Sequence, residues 1–146
     1  MRKLIIEILL GLSLPTAVFH TQLSSLFAAE QPVTKQISFS IARDTNYNEK
    51  VYDLSRATIR VVIFKVRDHK QIVVWNKVYD TQLLREYPTM RNALKQTVTV
   101  SNIWDRKEKL YVTYYVTYNT NGNVVKLENG TSLAKGEKTG SLFIGL

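Results

Sequence analysis

The chain contains no cysteine, which excludes a disulfide framework, a thiol nucleophile, every thiolate metal site and a lipidated N-terminal cysteine. Histidine is nearly as scarce. Of the two present, His20 and His69, only His69 lies beyond the N-terminal apolar stretch, so a histidine-rich zinc site is excluded as well. A serine triad would have to recruit that one imidazole, and no G-x-S-x-G elbow is present to offer it a nucleophile. Neither a glycine-rich phosphate loop nor a calcium-loop spacing of acids occurs. Negative charge is also in short supply, with 12 Asp and Glu against 20 Lys and Arg, a net charge of +8. Such an excess suits residence beside anionic polymers, lipid headgroups or nucleic acid.

What is present begins with an export pattern. Arg2 and Lys3 precede an apolar run from Leu4 to Phe19, and Ala28-Ala29 stand just before the polar Glu30-Gln31-Pro32. A basic start, an apolar helical core and small residues near a cleavage point define a secretory signal peptide, assigned here to residues 1–29. Glu7 inside the core and Phe27 near the cut are departures from that pattern. An uncleaved N-terminal anchor and a core helix are the two weaker readings, the first because the run is short for a span. Residues 30–146 then form a single domain of 18 basic and 11 acidic side chains, held without covalent help. Cysteine-free exported chains are common in Gram-positive bacteria, and a secreted, extracellular protein of such a host is the expectation. With no wall-sorting tail and no second apolar helix in the sequence, cleavage would leave the domain released or held non-covalently.

Within that domain the hydrophobic period is two, not 3.6. Ile37, Phe39 and Ile41 alternate with polar residues, and residues 43–56 read as a long polar loop with one short turn of structure. From Ala57 to Val66 both faces are apolar, which predicts a central strand. Asp68-His69 reads as a hairpin tip, followed by a return strand from about Gln71 to Tyr79. There Ile72, Val74 and Val78 are assigned to one face, and Val73, Trp75 and Tyr79 to the other. Leu83, Tyr87, Met90 and Leu94 recur at helical spacing across Pro88, predicting two short helical turns or a helical crossover near 80–95. Strand character resumes at about Gln96, and the strictest alternation runs from Leu110 to Tyr118. Asn121-Gly122 predicts a tight hairpin leading into a short strand, Asn123 to Leu127, and Asn129-Gly130 predicts a second turn. The last strand is expected over Ser141 to Ile144. About seven strands spaced by turn signals predict an all-β fold, a two-layer antiparallel β-sandwich, with a small β-barrel as runner-up. In that broad architecture the chain resembles small secreted immunoglobulin-like sandwiches, a resemblance that by itself implies no function.

Two features could carry function. The first is aromatic: Trp104, Tyr111, Tyr114, Tyr115 and Tyr118 cluster around one strand. If the even-numbered residues face inward, Tyr111 and Tyr115 form an exposed ladder with Thr113 and Thr117, able to stack on sugar rings or another protein. The competing explanation is sheet stabilisation by cross-strand pairs. The second is basic: Arg56, Arg60, Lys65, Arg67, Lys70 and Lys77 lie along the central hairpin, and Arg106, Lys107 and Lys109 share one turn. Basic residues beside aromatics also mark single-strand nucleic-acid binders, but no recognition motif supports that partner. The acids fall in loops and turns, the pattern of a solvated surface; Asp105 and Glu108 could hold calcium only against the two cations between them. A carboxylate pair acting on wall glycan is the remaining enzymatic alternative. The expectation is therefore a non-enzymatic binding domain without metal or cofactor, contacting an anionic cell-wall polymer, a lipid surface or a protein partner. The expected contact residues are Tyr111, Tyr115, Trp104, Arg106, Lys107 and Lys109, and the alternative is a self-assembling structural protein.

Overall fold

The computed structural model describes residues 30–146; the expected signal peptide lies outside the described residues. Seven strands follow one another: β1 (Val33–Ala42), β2 (Arg56–Arg67), β3 (Lys70–Leu83), β4 (Leu94–Ile103), β5 (Lys109–Thr120), β6 (Asn123–Leu133) and β7 (Thr139–Gly145). They form two sheets, β4-β1-β7 and β3-β2-β5-β6, with no ladder joining them, so the fold is a two-layer sandwich and not a closed barrel.

The alternation read from the sequence produces this arrangement directly. β1 buries Ile37, Phe39 and Ile41; β2 buries Ile59, Val61 and Ile63; β5 buries Leu110, Val112, Tyr114 and Val116. Each such side chain contributes about 1.5–3 kcal/mol when withdrawn from water, and together they make one core between the sheets. Phe39 of β1 meets Trp75 of β3 across that core, ring centroids 5.8 Å apart. Residues Gln31–Leu146 form one compact unit. β2 lies between β3 and β5, the central place its apolar faces imply.

Both tight hairpins are present. Asp68 and His69 take φ of 50° and 61°, Asn121 and Gly122 51° and 86°, the paired positive values that let a two-residue turn match the strand twist.

Four expectations are corrected. β7 pairs parallel to β1, Phe39 opposite Leu142, so the sandwich is not antiparallel throughout. Neighbouring parallel strands cannot share a hairpin, and here the rest of the domain serves as their connection. The Asn129-Gly130 turn does not form: β6 runs on to Leu133, with Asn129 opposite Tyr114 and Gly130 opposite Thr113. Glycine is needed there because a Cβ would stand 2.4 Å from the Val112 carbonyl oxygen. On β3, the register passes from Ile63–Trp75 to Phe64–Val73, leaving Val74 as a bulge. That one extra residue reverses the faces, so Ile72 and Trp75 lean inward and Val73 outward. The two short helical turns expected near 80–95 do form, as 3-10 turns at Leu84–Glu86 and Met90–Asn92. Leu84 and Tyr87 are buried, the Tyr87 hydroxyl donating to the Ala57 carbonyl at 3.0 Å, while Met90 and Leu94 face solvent. Finally, Glu108 is not a solvated acid but is buried.

Candidate functional site: the outer face of the four-stranded sheet

Because the even-numbered residues of β5 point into the core, Tyr111, Thr113, Tyr115 and Thr117 stand on the outer face of the four-stranded sheet. Cross-strand register assembles their neighbours. Phe64 of β2 lies opposite Tyr111, Arg60 opposite Tyr115, Val62 opposite Thr113 and Val66 opposite Lys109. From β6 come Glu128 opposite Tyr115 and Lys126 opposite Thr117; from β3 come Val73 opposite Phe64 and Val78 opposite Arg60.

The Phe64 and Tyr111 rings are stacked, centroids 5.3 Å apart and planes 6° from parallel. The Lys109 ammonium sits 5.1 Å from the Tyr111 ring centroid, a cation–π contact that holds the cation on the face. Tyr115 is exposed between Arg60 and Glu128, and partial burial followed by the Glu128 carboxylate raises its phenol above the ordinary value. Arg60 is itself braced by the Asn76 side-chain carbonyl at 3.2 Å. By register, this face carries Arg56, Arg60, Lys109 and Lys126 against Glu128, around an aromatic and valine centre. The opposite outer face, on the three-stranded sheet, is mainly hydroxyl and amide: Gln36, Ser38, Thr97, Thr99 and Ser141, with Ser38 and Thr97 sharing a hydrogen bond of 2.9 Å.

Of the six residues singled out from sequence, Tyr111, Tyr115 and Lys109 therefore share one face. Trp104, Arg106 and Lys107 belong instead to the turn between β4 and β5, which crosses from one sheet to the other. Trp104 is half-buried, with its carbonyl accepting the N–H groups of Lys107 and Glu108, while Arg106 and Lys107 are exposed. Phe64 and Arg60 were not picked out as contact residues. The signal for Phe64 was the apolar outer face of β2, read only as a sign of a central strand, and Arg60 was counted in the basic cluster along the hairpin; among the described residues no third layer covers that face, and neighbouring side chains shield it in part.

The basic cluster also divides. Lys65 and Arg67 share parity with Ile59, Val61 and Ile63, which turns them toward the inter-sheet side. There Lys65 meets Glu108 at 2.9 Å and Arg67 approaches the same carboxylate at 3.8 Å. The other Glu108 oxygen accepts the Trp104 N–H at 2.9 Å. Lys35, in phase with Ile37 and Phe39, is only 1% exposed; its ammonium reaches Asp105 at 2.5 Å and the Ala134 carbonyl at 2.9 Å. Asp105 also accepts the Gly136 N–H at 2.6 Å. The two acids weighed as cation ligands are thus bound to ammonium groups and backbone N–H donors. Among the described residues no cluster of three His, Asp or Glu is placed to hold a metal ion, and no helix is long and apolar enough to cross a membrane.

These contacts set an acid limit on stability. The Lys35 hydrogen bond is the main influence lowering the Asp105 carboxyl, against a smaller opposing push from burial, with the Gly136 N–H assisting. For Glu108 burial is the largest influence and pushes upward, but the Trp104 N–H, Lys65 and Arg67 together outweigh it, and the net direction is down. Carboxyls depressed in the folded state contribute stability that is fully present above their unfolded values, near pH 4, and lost as pH falls through the folded ones. The thermal midpoint, followed by circular dichroism, is therefore expected to fall steeply below about pH 4. A Glu108→Gln variant should start lower at neutral pH and fall less on acidification; an equally steep fall would place the acid sensitivity elsewhere.

Set against known proteins, the chain matches no protein-family model, no curated protein and no solved structure. The fold defines the class, an all-β two-sheet sandwich, and what the molecule does has to be argued from its surface.

Proposed function

We propose that this domain is an exported, non-enzymatic binding module that adsorbs to an anionic cell-wall polymer or lipid surface through the outer face of its four-stranded sheet. The observation that carries the reading is the Phe64–Tyr111 stack with Lys109 laid on it, beside an exposed Tyr115 flanked by Arg60. Tyrosine rings offer flat apolar area with a polar edge, suited to sugar rings and to the headgroup zone of a bilayer. The surrounding cations supply attraction toward phosphate or carboxylate, over a range of about 8 Å at physiological salt. No bond is made or broken; binding is desolvation of the aromatic centre combined with charge pairing at its rim. Arg106 and Lys107, on the neighbouring turn, would add to the long-range field but not to the face itself.

The test is retention of the purified protein on isolated cell wall and on anionic liposomes at low and high salt. Retention should weaken as salt rises. Tyr111→Ala and Tyr115→Ala should each reduce it about tenfold at either salt, as expected for interfacial tyrosines at the centre of a contact. Arg60→Ala and Lys109→Ala should act mainly at low salt. Absence of retention at both salts would overturn adsorption and leave a specific protein partner as the occupant of the face.

A further inference from the structure

The strands that end the sheets are not alike. β3 carries two register breaks against β2, and exposed Lys70 and Lys77. β4 is interrupted near Asn102, which takes a positive φ of 60°, and β7 has only seven residues. Bulges, cations and shortness are the usual protections of a sheet edge. β6 has fewer of them: eleven residues pair with β5 in unbroken register, and every residue from 121 to 131 is exposed.

The hairpin decides which backbone groups that edge offers. A two-residue turn at Asn121-Gly122 closes on the Thr120–Asn123 pair, which exchanges both of its hydrogen bonds. Bonding to β5 then alternates, so Val124, Lys126 and Glu128 direct N–H and C=O toward the open side, and Gly130 its C=O, its N–H being donated to the Asn129 side-chain carbonyl at 2.7 Å. Lys126 and Glu128 flank Leu127 and project from the same outer face. If two copies of β6 run antiparallel about a two-fold axis at Leu127, each Lys126 lies opposite the other copy's Glu128. These pairs fall on the hydrogen-bonded positions, and Leu127 meets its own counterpart at the closer, non-bonded position, about 4.5 Å between Cα atoms. Sliding the register by two residues in either direction would set Lys126 against Lys126 or Glu128 against Glu128. Slipping by one would bring opposite faces together. On the inner side Leu127, 44% exposed, meets its counterpart, and Val125, 61% exposed, lies opposite the second copy's Asn129 and diagonal to that copy's Leu127.

We propose that the protein forms a two-fold symmetric dimer by antiparallel β6–β6 pairing centred on Leu127, joining two four-stranded sheets into one of eight strands. The inference does not depend on what the outer face binds. It would, however, set two such faces side by side, so a polymer or membrane would be met twice and held with greater avidity.

Sedimentation velocity over the micromolar range, on the full chain and on residues 31–146, tests it. Lys126→Glu and Glu128→Lys each place two like-charge pairs in the contact, and each should raise the dissociation constant on the order of tenfold. The double exchange K126E/E128K should return to the original value. A mixture of the two single variants should form heterodimers, because their strands are again complementary. Near-ultraviolet circular dichroism verifies that each variant keeps its packing. A chain monomeric throughout the range, a dimer indifferent to both single reversals, or a double exchange that fails to recover would each overturn the proposal.

Discussion

Replacing Lys35 with alanine is expected to cost the domain about 3–5 kcal/mol, a large part of the roughly 5–15 kcal/mol that holds a typical domain folded. The size follows from what the substitution strands. Lys35 is 1% exposed, and its ammonium links the Asp105 carboxylate with the Ala134 carbonyl. Without it Asp105 keeps its Gly136 N–H partner and the Lys135 charge in a partly buried place, and the turns 104–108 and 134–138, still joined by that N–H, lose the ammonium that bridges them a second time. The thermal midpoint should drop by more than about 10 °C. The pair itself contributes less than this loss suggests, because desolvating two charges offsets much of their attraction. A neutral pair, K35M/D105N, should therefore recover roughly half of the loss or more, since asparagine still accepts the Gly136 N–H and no charge is left uncompensated. Denaturant titration of the wild type, both single variants and the double variant measures each corner of the cycle. A Lys35→Ala variant within about 1 kcal/mol of wild type would mean the pair carries no structural weight.

Gly130→Ala should destabilise the domain by about 1–3 kcal/mol, the range found when a close-packed contact is forced apart. The added Cβ would approach the Val112 carbonyl oxygen to 2.4 Å and the Thr113 Cα to 3.0 Å. Both are backbone atoms of β5, so relief requires moving a strand rather than rotating a side chain. Gly122 offers a control of a different kind. Its Cβ would meet nothing within 4 Å, and its cost would come only from its φ of +86°. Hydrogen exchange separates the two: Gly130→Ala should expose amides along the middle of the β5–β6 ladder, Gly122→Ala only those beside the turn. A Gly130→Ala protein with unchanged exchange and melting would show that β6 is not continuous there.

That glycine illustrates how a local signal can mislead. Asn121-Gly122 and Asn129-Gly130 are the same dipeptide, yet the first makes a turn and the second lies inside β6. Nothing within a few residues distinguishes them. The distinction lies in β5, which is twelve residues long and keeps pairing past Tyr114, holding Asn129 and Gly130 extended. β3 went astray for a related reason: alternation is counted along one strand, whereas the bulge at Val74 exists only relative to β2. The internal charges were closer to legible. Lys35 sits in phase with Ile37 and Phe39, and Lys65 in phase with Ile59, Val61 and Ile63, so parity alone turns both inward. What parity could not supply was the identity of the acids that meet them, because Asp105 and Glu108 arrive from a turn between the two sheets.

The candidate face divides along the same line. That Tyr111 and Tyr115 stand together, with Thr113 between them, follows from period two on β5 once the core side is known. That Phe64 stacks on Tyr111, and that Arg60 and Glu128 bracket Tyr115, depends on the register of three strands.

By itself, then, the sequence determined the all-β class, the strands β1, β2 and β5, the hairpins at Asp68-His69 and Asn121-Gly122, and the division of β1 and β5 into two alternating faces, though not which face of β5 enters the core. These are local properties, set by alternation and by residues able to take positive φ. Only the tertiary structure decided the parallel β1–β7 pair, the full length of β6, the bulge in β3 and the partners of the buried charges. Each of these is a relation between segments distant in the chain, fixed by which edges, carbonyls and ammonium groups come into reach when two sheets close over one core.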